Sequence, residues 1–91
     1  MFVVVSYDIS EDKRRERVAK ELENYGNRVQ YSVFECSLQE DKLKEMCKKL
    51  ASLIEGAEDS LRIYHLCESC LKKVKIYGTG EISKDEDFYI I

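Results

Sequence analysis

The chain opens on an apolar run, Phe2-Val3-Val4-Val5, that continues through Ser6-Tyr7-Asp8-Ile9. Apolar residues at odd and even positions alike predict a central strand over residues 2–7, covered on both faces. Ser10 has the side chain of a helix N-cap, and Glu11 and Asp12 follow where a helix's positive end favours acids. A helix is expected over residues 11–24, because Val18, Ala19, Leu22 and Tyr25 fall on one face at about 100° per residue. Arg14 and Arg15 extend that face toward the helix start, and Gly26 stands where a left-handed residue ends a helix.

Residues 27–37 read as extended. Val29, Tyr31, Val33, Phe34 and Cys36 are strand formers, with Arg28, Gln30, Ser32 and Glu35 between them. The alternation breaks at Val33-Phe34, which a tight hairpin, a bulge or a bend would each explain. Ser37 and Glu40 have capping-box spacing, and Leu43, Met46, Cys47, Leu50, Leu53 and Ile54 form one stripe, so a second helix is expected over 40–55 with Gly56 closing it. Asp59-Ser60 reads as a turn, Leu61 to Leu66 as a strand, and Val74 to Tyr77 as a short strand ending at Gly78-Thr79-Gly80.

The order β-α-β-β-α-β with an extra C-terminal strand predicts an α+β fold of ferredoxin-like plan, an antiparallel sheet with two helices on one face. The uncovered sheet face would then be buried by a second copy, giving a two-fold homodimer. Residues 1–80 form the expected domain. Residues 81–91 form an acidic tail whose last residues, Phe88-Tyr89-Ile90-Ile91, are too apolar for water and are expected to dock on a partner.

Composition narrows the function. Ninety-one residues make one domain, which buries roughly 60–65% of its unfolded surface and gains from association. The first residues lack the basic segment of a secretory leader, and no apolar run reaches the roughly 20 residues that span a bilayer. A soluble, cytoplasmic protein without a membrane partner is expected. The net charge of −3 argues against a generic polyanion binder. Yet the last eleven residues carry all of it, with Glu81, Asp85, Glu86 and Asp87 against Lys84. Four of the five arginines, Arg14, Arg15, Arg17 and Arg28, fall in the first 28 residues, which makes room for a local basic patch.

Asp8 ends the central strand with Arg14 and Arg15 about one helical turn on, a combination that suits phosphodiester chemistry or phosphate binding. An ordinary ion pair explains it too. One carboxylate per chain is a poor Mg²⁺ site, since the ion takes six oxygens, but a two-fold dimer would supply a second. Arg14, Arg15 and Arg28 carry planar forks suited to phosphate, or form a face salted by Glu11, Asp12 and Glu16. Tyr7, Tyr31 and Phe34 would stack on bases or else belong to the core or a dimer interface, and His65, a general base or ligand in principle, reads as a packed strand residue. Cys67 and Cys70 form a Cys-x-x-Cys. Zinc needs four ligands and no second pair follows, so no zinc is expected. A thioredoxin-type pair opens a helix after a strand, whereas Leu71 to Val74 reads as leading into a strand. That leaves structural thiols or one Cys67–Cys70 disulfide, with Cys36 and Cys47 as small core residues.

Taken in order, Tyr7-Asp8-Ile9, Asp12-Lys13-Arg14-Arg15, Tyr25-Gly26-x-Arg28-Val29-Gln30-x-Ser32-Val33-Phe34-Glu35 and Glu58-Asp59-Ser60-Leu61-Arg62-x-Tyr64 resemble the CRISPR-associated protein two family over residues 1–80. The resemblance implies a ferredoxin-like homodimer that acts in spacer acquisition as a scaffold, binding duplex DNA together with the CRISPR integrase. It also implies an alternative activity, a metal-dependent endonuclease acting on RNA or DNA. Asp8 would then hold Mg²⁺, or Mn²⁺ in its place, at the dimer seam opposite its symmetry mate. By position it assigns Arg14, Arg15 and Arg28 to phosphate, puts Phe34 and Tyr7 beside the site, and docks the Phe88–Ile91 tail on the integrase or on the partner protomer. A ferredoxin-like metal chaperone is the reading outside the family. It would carry its cysteine pair after the first strand, where Asp8 and Ser10 stand here.

Overall fold

The computed structural model describes residues 1–82. It runs β1 (Phe2–Asp8), α1 (Asp12–Leu22), β2 (Asn27–Gln30), β3 (Val33–Ser37), α2 (Glu40–Leu53), β4 (Ser60–Leu66) and α3 (Glu68–Leu71). The four strands form one antiparallel sheet in the order β2-β3-β1-β4. This is the ferredoxin-like α+β plan, with β1 central as its apolar content predicts. Strand alternation sorts the faces. Val3, Val5 and Tyr7 of β1 and Phe34 and Cys36 of β3 are buried with Val18, Ala19 and Leu22 of α1 and Leu43, Met46 and Leu50 of α2. Val4 and Ser6 of β1, Val33 and Glu35 of β3, and Arg62 and Tyr64 of β4 take the helix-free face, aligned by the pairs Val4↔Glu35, Val4↔Tyr64, Ser6↔Val33 and Ser6↔Arg62.

The break in the extended segment is a hairpin. Gln30 pairs with Val33, leaving Tyr31-Ser32 as the turn, and a bulge between Arg28 and Gln30 leaves Val29 unmatched. Several boundaries differ from the sequence reading. Glu11, not Ser10, caps α1, because its extended backbone lets one carboxylate accept from the Lys13 and Arg14 amides at 2.7 and 3.1 Å. The Ser37/Glu40 capping box does not form, since Ser37 is still paired in β3 and Gln39 takes the cap position without a side-chain bond. Gly26 is not left-handed. It is there for space, as a Cβ would lie 2.3 Å from the Glu35 carbonyl oxygen and 2.5 Å from Cys36 Sγ. His65 is exposed rather than packed.

The largest departure follows β4. No strand forms at Val74–Tyr77. The chain instead enters α3, and a turn closed by Lys73 N to Cys70 O (3.0 Å) and Val74 N to Leu71 O (3.2 Å) redirects it. Residues 75–81 then share the lining of an open groove of about 410 Å³ with Val29, Gln30, Val33 and Glu35, without pairing as a strand. The expected tail contact of Phe88–Ile91 falls outside the described residues.

Gly26→Ala is expected to destabilise the fold by about 1–3 kcal/mol, the usual cost of overpacking. Gly56→Ala, with nothing within 4 Å of the added atom, should stay within about 0.5 kcal/mol of the parent. Urea unfolding of the two variants makes the comparison.

Candidate nucleic-acid interface

The end of β1 carries side chains to both faces of the sheet, and this divides the expected site in two. Tyr7 is buried on the helix side, while Asp8 is exposed. Asp8 lines a hollow of about 210 Å³ with Ser6, Tyr7, Ser60, Arg62 and Tyr64. Its carboxylate neither caps α1 nor pairs with an arginine among the described residues. Arg62, which the sequence reading left among the motif residues, is held toward Tyr64 at 3.5 Å and stays charged, its pKa raised by that hydroxyl. Its place beside Asp8 follows from the β1–β4 register, in which Asp8 meets Ser60 and Ser6 meets Arg62.

On the helix side, Arg28, Tyr31, Phe34, Tyr7 and Arg15 form one layered group. The Arg28 guanidinium lies 5.4 Å from the Phe34 ring centre and 5.8 Å from that of Tyr31, and donates to the Tyr7 hydroxyl at 3.2 Å. The Tyr7 and Phe34 rings are tilted at 30° with centres 6.4 Å apart. Arg15 lies 6.0 Å from the Tyr31 ring centre, and is oriented by the Ile9 carbonyl at 2.9 Å and by Asp12. Asp12 and the Tyr31 hydroxyl raise the Arg15 pKa, and the Tyr7 hydroxyl raises that of Arg28, so both remain cations. Arg28 spends one of its five donors on Tyr7, which leaves the outer fork for an anion. The exposed Tyr31 ring adds a flat surface close to two cations, a pairing that suits phosphate with an unstacked base beside it.

Arg14 is committed elsewhere. Its fork grips Asp59 at 2.8 and 3.1 Å, and reaches Glu58 at 3.0 Å. The Asp59 side chain is fully covered and also accepts from the Glu55 amide at 2.8 Å. Arg14, with the Glu55 amide, holds the Asp59 carboxyl below the ordinary carboxylate range. This clamp fastens the start of α1 to the loop before β4. Glu58 is largely exposed and adds little.

A divalent cation would find one carboxylate in each chain here. Asp8 shares its hollow with the hydroxyl-bearing Ser6, Ser60, Tyr7 and Tyr64 and with the Arg62 guanidinium, and the described residues bring no three His, Cys, Asp or Glu side chains together as a ligand set. Among the described residues a single chain brings one carboxylate to this hollow, and a second would come from another copy.

A split β-α-β sheet with a cationic, aromatic hairpin tip on its helix side defines a ferredoxin-like protein with a localised cationic surface. The family model of CRISPR-associated protein Cas2 matches residues 1–74. The chain is 48% identical over its whole length, and over the whole of the relative, to a protein of Chloroflexus aurantiacus named CRISPR-associated endoribonuclease Cas2 1. It is similar to the crystal structure of Streptococcus pyogenes Cas2 at pH 6.5, with a TM-score of 0.76 and 36% identity, covering 86% of this chain and all of that one. A chain of a partial Cas6-RT-Cas1–Cas2 complex matches with a TM-score of 0.73 and 30% identity, covering 82% of each. This chain belongs to the Cas2 family.

The clamp predicts a pH signature. A carboxyl whose pKa is lowered on folding contributes stability that is present above its unfolded value, near 4, and is lost as pH falls through the folded one. Asp59→Asn should therefore be less stable than the parent at neutral pH, and the gap should close below about pH 4. Thermal unfolding of both proteins across that range would show it, and a gap that stays constant would refute the pairing.

Proposed function

We propose that this chain is the small subunit of a CRISPR spacer-acquisition assembly, a cytoplasmic homodimer that scaffolds duplex DNA together with the CRISPR integrase. The observation that carries the reading is the likeness to a Cas2 chain solved in a complex with Cas1. The layered Arg15–Tyr31–Arg28 group supports it as a phosphate-contact surface: Arg28 keeps donors beyond the one given to Tyr7, and Arg15, held by the Ile9 carbonyl and by the exposed Asp12, adds positive charge beside the Tyr31 ring. Arg14 is left out of that surface because Asp59 and Glu58 occupy its fork. Dimer formation would cover the helix-free face, where Tyr64 is 48% exposed on β4 and Ile76 is 44% exposed beside β2 and β3. The acidic tail would dock on the integrase or on the second copy.

The negative net charge makes duplex binding by the isolated dimer weak and binding with the integrase tighter. In a salt titration of duplex binding, replacing Arg15 and Arg28 by Gln should reduce the slope of log K against log salt by about 2, whereas Arg14→Gln should leave it unchanged. Nanomolar duplex binding by the isolated dimer at physiological salt would contradict this account.

A second reading rests on the relatives named endoribonuclease. Here two Asp8 carboxylates, one from each copy, hold Mg²⁺ or Mn²⁺ at the seam. The ion would supply charge neutralisation at a scissile phosphate, and Arg62 on the same face would orient that phosphate. Asp8→Asn is expected to abolish Mg²⁺-dependent cleavage of single-stranded RNA while leaving assembly with the integrase intact. Cleavage that survives in the purified variant would remove Asp8 from the chemistry.

A further inference from the structure

The four cysteines divide into two kinds. Cys36 lies in the core, and burial pushes its thiol up to about 11. Cys47 sits half-covered on α2 with its pKa raised by burial. Cys67 and Cys70 are exposed, unbridged thiols three residues apart. The sequence reading set aside a thioredoxin-type pair because no helix was expected after the strand. The structure corrects that: β4 ends at Leu66, and Cys67 caps α3 directly. Cys67 Sγ lies 3.2 Å from the Ser69 hydroxyl and accepts from the Cys70 amide at 3.4 Å. The backbone turn is closed by Leu71 N to Cys67 O at 2.9 Å, which holds the two cysteines at the ends of one helical turn.

We propose that Cys67 and Cys70 form a redox-active dithiol that exchanges with small-molecule disulfides, with Cys67 as the attacking sulfur and Cys70 as the resolving one. The roles follow from the hydrogen bonds. The Ser69 hydroxyl, then the Cys70 amide and the Cys70 thiol, stabilise a thiolate on Cys67 and bring its pKa down to about 7. The Cys70 thiol is raised by the same neighbour, so it keeps its proton until the first step is over. In that step the Cys67 thiolate attacks a small disulfide, forms a mixed disulfide and releases one small thiolate. Cys70 then gives up its proton to solvent, its sulfur attacks Cys67, and a second small thiolate leaves. Two protein thiols lose two electrons, and one small disulfide gains them as two thiols. This site shares no residue with the arginine group or with the Asp8 hollow, so it stands or falls apart from the proposed function.

The test incubates the full chain with glutathione disulfide at pH 7 and follows the products by intact and peptide mass spectrometry. The wild type should lose two hydrogens and carry a Cys67–Cys70 bridge, with Cys36 and Cys47 still free. Cys70→Ser should accumulate one glutathione on Cys67. A thiol at pKa 7 has about fifty times the thiolate of one at 9, offset in part by lower nucleophilicity, so Cys67→Ser should react at Cys70 about five- to tenfold more slowly. Equal rates in the two variants, a wild type that stops at the mixed disulfide, or modification of Cys36 or Cys47 first would each overturn the proposal.

Discussion

Consecutive side chains in a strand leave on opposite faces of the sheet, and in β1 this constraint organises everything around the candidate site. Val3, Val5 and Tyr7 must face α1 and α2 to complete the core, so Val4, Ser6 and Asp8 must face away. A one-residue slip would expose the first set and bury a carboxylate. The pairing of β1 with both β3 and β4 holds the register from each side. Hence Tyr7 joins Phe34 and Arg28 on the helix side, and Asp8 joins Arg62 and Tyr64 on the other. A site that looks continuous along the chain is two surfaces in space.

The arginines follow from the same geometry. Arg14 and Arg15 are adjacent in sequence, yet a helix turns about 100° between neighbours, and the two reach different elements. Arg14 meets Asp59 and Glu58 at the loop before β4, while Arg15 meets Tyr31 at the hairpin tip. Arg14 spends Nε and Nη2 on those two carboxylates, so turning that edge of its fork to phosphate would break a covered pair. Arg28 reaches Tyr31 from β2, where its register partner is Phe34. The proposed anion-facing surface is thus assembled from α1, the β2–β3 turn and β2.

The fold was legible because its signals are long and periodic. The stripe of α2 and the apolar run of β1 were read at the right places, and the strand–helix order led to the ferredoxin-like plan. The caps were not legible, since Ser10 and Ser37 have suitable side chains but Glu11 has the suitable backbone and Ser37 is held in β3. Val74 to Tyr77 has a strand's composition, and the misreading there hid α3 and the helix-opening position of Cys67. A four-residue helix leaves almost no periodic trace. Within the site, residue types pointed to Asp8, Arg15 and Arg28, but the ion pairing of Arg14 depends on Asp59, 45 residues away. Arg62 was recoverable in principle, because pairing β4 with β1 places it opposite Ser6 on the Asp8 face.

The central claim is that nucleic acid meets the protein on the helix side of the hairpin and not through Arg14. A backbone amide shift map of the isotope-labelled protein, recorded as a short DNA duplex is titrated in, tests it directly. The account predicts that shifts concentrate on Arg15, Arg28 and Tyr31 and leave Arg14, Glu58 and Asp59 unmoved. Shifts centred on the Arg14–Asp59 clamp, or on Asp8 and Arg62, would contradict it.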